Sequence, residues 1–192
     1  MTMIVGLTGL IGSGKTLASE IFREQGFCII DTDEISRELS AGKAQSIIYN
    51  EFGTVNRAEL RSIVLEETQK LKQLENILHP LIFEEVKKHI SSAENKYIML
   101  VVPLLFKSPK YLELIDKSLL IDADLNVIKE RLQHRGLSAQ EIERLIQQQL
   151  PIEIQRQYAD DIITNNSSRN DFIKKIIIQN QKYMQSEDGE HR

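Results

Sequence analysis

One cysteine in 192 residues rules out a disulfide framework. That residue, Cys28, lies in the apolar run Phe27-Cys28-Ile29-Ile30 and reads as a buried strand thiol in a chain suited to a reducing compartment. No apolar run approaches the length of a membrane span, and the first residues carry no basic, apolar, small-residue leader pattern. The expected location is therefore the cytoplasm, with no membrane partner. A basic excess is missing too. The 24 Lys and Arg stand against 28 Asp and Glu, a net charge of −4, so the electrostatic footprint of a nucleic-acid partner is lacking. The four histidines, at 79, 89, 134 and 191, have no spacing that suggests zinc. Internal repeats and low-complexity segments are absent. What remains is an ordinary globular composition, 41% apolar and 27% charged, at a length that suits one core with inserted subdomains.

Against that background one segment stands out. Gly9-Leu10-Ile11-Gly12-Ser13-Gly14-Lys15-Thr16 fits the phosphate-binding pattern G-x-x-x-x-G-K-[ST] at every fixed position. A short apolar stretch, Met3 to Thr8, precedes it, and Leu17 to Gln25 follows with helix-forming residues and apolar positions at helical spacing. Strand, glycine loop and helix in that order is the context the motif needs. The glycines allow a nest of N–H groups aimed at phosphate oxygens, and the helix start adds partial positive charge. Ile11, Gly12, Ser13 and Gly14 would form the cradle, Lys15 would reach the terminal phosphates, and the Thr16 hydroxyl would hold magnesium. The segment predicts a chain that binds a nucleoside triphosphate.

Five apolar runs read as buried parallel strands: Ile4–Leu7, Phe27–Ile30, Tyr97–Val102, Ser118–Ile121 and Asp161–Thr164. Helical patterns separate them, which is the signature of an α/β fold. Residues 1–33, 96–124 and 159–186 make the nucleotide-binding core on this reading. Residues 34–95 form a mostly helical lobe over the sheet edge, with room for a second substrate. Within it, Asn56 to Glu59 has the spacing of a capping box ahead of Leu60, Ile63 and Val64. Pro80 suits the first position of another helix, with Leu81, Ile82, Val86 and Ile90 on its inner side. His79, just before Pro80, is then extended at a helix start and structural by default.

Residues 125–158 read as a small lid. Leu125, Ile128 and Leu132 share one helical face that ends in the basic cluster Arg131 to Arg135, before Gly136. Ser138 to Glu141 is a full capping box for the next helix. A last helix, about Arg169 to Gln185, presents Phe172, Ile173, Ile176, Ile177 and Tyr183 to the core, and 187–192 read as a disordered tail.

Asp31 and Asp33 follow the second strand directly, so both carboxylates are expected at the sheet edge that carries the glycine loop. A carboxylate there can orient an acceptor hydroxyl and take its proton. Asp33 is the favoured base, with Asp31 left to cap the backbone or attend the metal. The competing reading makes Asp33 the N-cap of a helix Glu34–Ser40. Arg135 likewise has two readings, a guanidinium delivered to the transferring phosphoryl group by a closing lid, or a basic residue suited to any helix C-terminus. No guanine-reading N-K-x-D is present, since Asn95-Lys96-Tyr97-Ile98 fails at its last position, and no D-x-x-G follows a strand. A nucleotide-dependent switch is disfavoured for those reasons.

Together these segments resemble dephospho-CoA kinases. The resemblance rests on the glycine loop, Ile30 to Asp33, Asn56 to Arg61, Leu74 to Pro80, Val102 to Phe106, Gln149-Leu150-Pro151 and Ala159 to Asn165. It implies a P-loop NTPase-type five-stranded parallel sheet flanked by helices, with a helical acceptor-binding insertion and a helical lid. It also implies transfer of a phosphate from ATP, with Mg²⁺, to the ribose 3′-hydroxyl of dephospho-CoA. By the same resemblance Asp33 is the base, Lys15 the phosphate clamp and Arg135 the lid arginine. Leu60, Arg61, His79, Pro103, Leu104, Leu105 and Phe106 line or shape the acceptor site. A small-molecule substrate is the expected partner, for a monomer or weak homo-oligomer. The alternative acceptor within this fold is another nucleoside or nucleotide.

Several positions depart from that pattern. Lys107 stands where relatives often carry glutamate, and Val101 where many carry aspartate, which leaves Asp31 or Asp33 as the acidic partner for the metal. Gln155 replaces a common basic residue, with Arg156 beside it. Asn166 to Ser168 replaces a glycine, which is expected to reshape the adenine pocket slightly.

Overall fold

The computed structural model describes residues 2–186, and the sequence-read tail at 187–192 lies outside the described residues. Five strands form one sheet in the order β2-β3-β1-β4-β5. They are β1 (Met3–Thr8), β2 (Cys28–Asp31), β3 (Tyr97–Val101), β4 (Lys117–Asp122) and β5 (Asp161–Thr164). β1 pairs in parallel with β3 and β4, and β4 with β5. All five coincide within a residue or two with the apolar runs of the sequence. Cys28 is in its strand but only half buried.

The chain divides into two compact units, one made of Met1–Ile29 with Glu94–Arg192, the other of Ile30–Ala93. In the first, helix α1 (Lys15–Glu24) follows the glycine loop. The second holds α2 (Thr32–Ala41), α3 (Gln45–Phe52), α4 (Arg57–Glu66) and α5 (Thr68–Ser92). The chain then returns to the first unit with α6 (Pro109–Leu112), α7 (Leu125–His134), α8 (Ala139–Gln147), α9 (Ile152–Tyr158) and α10 (Arg169–Ser186).

Alternation along the strands builds two cores in the first unit, because successive side chains point to opposite faces. Leu119 and Ile121 of β4 join Val5, Leu7, Met99, Phe22 of α1 and Phe172 and Ile176 of α10. Leu120, between them in sequence, instead joins Leu10, Ile128 and Leu132 of α7, Ile142 of α8 and Ile152 of α9. The helices read as a lid therefore share a core with the first residues of the glycine loop. Leu125 departs from the expected apolar face and is 41% exposed. It is the first residue of α7.

In the second unit α5 packs against α2, α3 and α4. Ile82 and Val86 lie on its inner side as the spacing indicates. Two expectations fail here. Pro80 does not start a helix but lies inside the 25-residue α5. His79, accordingly, is helical and exposed rather than extended at a helix start. Proline removes the amide that would bond the carbonyl of Asn76, but both residues lie on an exposed part of the helix, where water can take the place of that bond. The buried side chains Leu78, Ile82 and Val86 then carry the helix through.

Candidate active site

Parallel sheets bind ligands where the connections leaving two neighbouring strands run in opposite directions. Here those strands are β1 and β3. The chain leaves β1 toward β2 on one side and leaves β3 toward β4 on the other. The glycine loop follows β1, and Pro103–Phe106 follows β3. A hydrogen bond from Thr8 Oγ1 to the Pro103 carbonyl (3.2 Å) ties the two exits together.

Two glycines in the loop are obligatory. Gly9 has φ 148°, and a Cβ there would fall 2.3 Å from the Ile121 carbonyl oxygen. Gly14 has φ 112°, and its Cβ would fall 2.4 Å from Asn165 Nδ2. Gly14 is also the N-cap of α1, so that helix starts with no side-chain cap and no acidic residue in its first turn. Its leading N–H groups and the positive end of its dipole are left for an anion. Lys15 Nζ bends over the loop and donates to the carbonyls of Gly9 (2.7 Å) and Leu10 (3.0 Å). Thr16, one residue on, is exposed. The cradle fits a polyphosphate.

Residues distant in sequence hold this loop from behind. Asn165 Nδ2 donates to the Ser13 carbonyl at 2.7 Å. Arg131, from the last turn of α7, donates to the carbonyls of Gly12 (3.3 Å), Ser13 (3.4 Å) and Asn165 (2.9 Å). Burial lowers the Arg131 pKa from its ordinary value, and nearby Arg135 adds to the lowering; a guanidinium still stays charged at neutral pH. Arg135, the lid arginine of the sequence reading, is the exposed residue that ends α7. Of the basic pair it is Arg131 that touches the loop. Gln149 is a further loop contact, its Oε1 accepting from the Ile11 N–H at 2.7 Å. Gln149 and Asn165 lie in segments that carry the family resemblance, but nothing local assigns either of them to the loop. Each meets the loop across more than a hundred residues, which only the folded chain brings about.

The departing positions have clear structural roles. Val101 is buried in the core with Val5 and Leu7. Gln155 is also buried, and its amide donates to the Leu150 carbonyl at 2.7 Å. Arg156 forms a two-pronged bond to buried Asp122 at the end of β4 (2.8 and 3.2 Å), which raises the arginine's pKa. Asn166 Oδ1 accepts from the Asp124 N–H that precedes α7 (2.8 Å). A pocket of about 620 Å³ lies beside Phe106, Ile154 and Tyr158, but no residue of the glycine loop lines it. Topology and the loop geometry, not cavity size, mark the nucleotide site.

The second unit holds the remaining candidates. Asp31 ends β2 and caps α2, its Oδ1 accepting from the N–H groups of Asp33 (2.8 Å) and Glu34 (3.4 Å). The helix starts at Thr32, not Glu34, so Asp33 is exposed within the first turn and is not the N-cap. Asn56 caps α4 as expected, through Ala58 and Glu59. The other half of that box runs through Thr54, whose hydroxyl donates to Glu59 and accepts from the Asn56 N–H. Leu60 is buried in this unit, while Arg61 and His79 are exposed. Lys15, Thr16, Arg135 and Pro103–Phe106 thus belong to one unit, and Asp31, Asp33, Leu60, Arg61 and His79 to the other.

Comparison with known proteins extends the reading beyond the loop. A model of the dephospho-CoA kinase family matches residues 3–171. Dephospho-CoA kinase of Nitrosomonas europaea is 38% identical over 196 residues, covering 96% of each chain. The enzyme of that name from Chromobacterium violaceum is 38% identical over 174 residues, 85% of each. Among solved structures, dephospho-CoA kinase from Campylobacter jejuni aligns with a TM-score of 0.72 at 27% identity, covering 97% of this chain and 100% of its own. TT1252 from Thermus thermophilus aligns at 0.80 with 27% identity, covering 93% and 97%. A shikimate kinase from Acinetobacter baumannii, TM-score 0.59 at 14% identity, shares the fold alone. With the phosphate cradle at the β1–β3 exit and a family match running from residue 3 to 171, the chain belongs to the dephospho-CoA kinase family.

Proposed function

We propose that the chain transfers the γ-phosphoryl group of ATP to the ribose 3′-hydroxyl of dephospho-CoA, giving coenzyme A and ADP. The observation that carries this reading is the uncapped, acid-free start of α1 behind a glycine nest, in a chain of this family. The N–H groups of Gly12 and of Gly14 to Thr16 cradle the phosphates, and Lys15 reaches the terminal phosphate oxygens while its ammonium stays against the loop carbonyls of Gly9 and Leu10. Asp33 accepts the proton of the 3′-hydroxyl as the new O–P bond forms and the bond to ADP breaks. Because Asp31 already caps the start of α2, the carboxylate of Asp33 is not required for that cap. Arg135 supplies charge to the equatorial oxygens, while Leu60, Arg61, His79, Pro103, Leu104, Leu105 and Phe106 line or shape the acceptor site.

Among the described residues no group of three or more His, Cys, Asp or Glu is placed to hold a metal. The Thr16 hydroxyl, with Asp31 as the acidic partner, would hold a magnesium ion together with phosphate oxygens and water. Such an ion would supply positive charge against the phosphates. Among the described residues no helix is long and apolar enough to cross a membrane. We place the protein in the cytoplasm, as a monomer or weak homo-oligomer that acts on a small molecule and not on nucleic acid.

A mass-resolved assay of purified protein with Mg-ATP and dephospho-CoA tests the reading, with adenosine and AMP as control acceptors. Coenzyme A formed from dephospho-CoA alone is the expected result. Phosphate on a control acceptor, or ATP consumed without coenzyme A, would overturn it.

A further inference from the structure

The peptide between Leu10 and Ile11 is gripped on both sides. Its carbonyl, on Leu10, accepts from Lys15 Nζ at 3.0 Å. Its N–H, on Ile11, donates to Gln149 Oε1 at 2.7 Å. A trans peptide is a rigid plane with its C=O and N–H on opposite edges, so fixing one edge sets the direction of the other. Whatever orients the Ile11 N–H therefore also aims the carbonyl that holds the lysine ammonium. The Ile11 N–H can donate only to the oxygen of the Gln149 amide, which fixes the orientation of that side chain.

Gln149 is itself held in place by its neighbours. Lys107, which follows Pro103–Phe106, donates to the carbonyl of Gln148 at 2.8 Å. Gln148 ends α8, so the ammonium also sits at the negative end of that helix. On the other side Gln155 holds the Leu150 carbonyl. Residues 148–150 are thus fixed by main-chain bonds at both ends, leaving the side chain of Gln149 to reach the loop. The charge at Lys107, opposite to the glutamate expected there, makes sense as the partner of a carbonyl and a helix C-terminus.

We propose that Gln149 and Lys107 are positioning residues for phosphoryl transfer, Gln149 aiming Lys15 through the Leu10–Ile11 peptide and Lys107 holding Gln149 in register. The proposal rests on the kinase reading and adds to it a route from the lid helices to the phosphate-clamping lysine. Misplacing a reacting group by about an ångström costs on the order of a hundredfold in rate.

The test compares Gln149→Met, Lys107→Met and Lys107→Arg with the unaltered protein in the coenzyme A assay, with melting curves alongside. Gln149→Met is expected to lower kcat roughly tenfold to a hundredfold with little change in the KM for dephospho-CoA. Lys107→Met should give a smaller loss, which Lys107→Arg recovers. The decisive readout is a double-mutant cycle with Lys15→Ala. If Gln149 acts through Lys15, Gln149→Met adds little to Lys15→Ala, whereas independent action multiplies the two losses and overturns the proposal. Unchanged kcat in Gln149→Met, or no recovery in Lys107→Arg, overturns it as well. Should Gln149→Met fail to fold, Gln149→Asn keeps the amide but withdraws it by one methylene, and the same outcomes apply. Absence of coenzyme A with the unaltered protein would instead strike the kinase reading and is distinguishable from all of these.

Discussion

Helices α1 and α8 begin in opposite ways. α8 opens with both halves of a capping box, Ser138 accepting from the Glu141 N–H and Glu141 accepting from the Ser138 N–H. α1 opens on Gly14 in a left-handed conformation with nothing bonded to its leading N–H groups by way of a cap. A helix whose task is to be stable satisfies its own first turn; one whose task is to take up phosphate leaves that turn open. The difference also separates stability from activity. On the proposed reading, side chains at the head of α8 serve the fold, and those at the head of α1 serve the reaction.

Substitutions can break that contrast, and the largest effect falls at α1. Lys15→Ala should reduce turnover on the order of a thousandfold while leaving the melting temperature nearly unchanged, measured by coenzyme A formation and calorimetry. A melting temperature that fell with activity would make Lys15 a structural residue. Asp33→Asn comes next. Since Asp31 caps α2, loss of the Asp33 charge should lower kcat roughly a hundredfold and spare ATP affinity. Turnover near the unaltered value would remove Asp33 as the base. Arg135→Ala is expected to slow transfer by about tenfold, less than a buried donor costs because the exposed guanidinium is screened by solvent. Unchanged kinetics would reduce Arg135 to a helix-end charge. Smallest is Ser138→Ala, which should cost about 1 kcal/mol of stability with kcat intact, read from denaturant unfolding. A large loss of activity there would mean that the start of α8 also serves the chemistry.

How much of this was legible in the sequence differs by type of information. Strands were the clearest, because both faces of the sheet are covered and an apolar run such as Tyr97–Val101 is unambiguous. The glycine loop was equally plain, as its backbone demands are local. Caps were read with partial success. Ser138 and Glu141 form the expected box, and Asp31 caps α2 as the favoured reading had it, but Asn56 shares its box with Thr54. Pro80 misled because a proline is a local obstacle that a long packed helix can pass through, and His79 followed it into error. The supports of the loop were named in the sequence but not recognised as such. Arg131 ends a helix as basic residues commonly do, and only the folded chain shows that it reaches Gly12 and Ser13 while Arg135 does not. Gln149 and Asn165 carry no periodicity or charge pattern of their own.

The bond from Asn165 to Ser13 has a bearing on biosynthesis. Ribosomes make a chain from its N-terminal side, so the phosphate motif at residues 9–16 emerges well before residues 131 and 165. The carbonyls that shape it nevertheless wait for an amide at position 165 and a guanidinium at 131. A nascent chain therefore displays the motif long before it owns the nest. Competence to hold nucleotide arrives late in translation, so ATP in the cell would select for the finished chain and not for its early fragments.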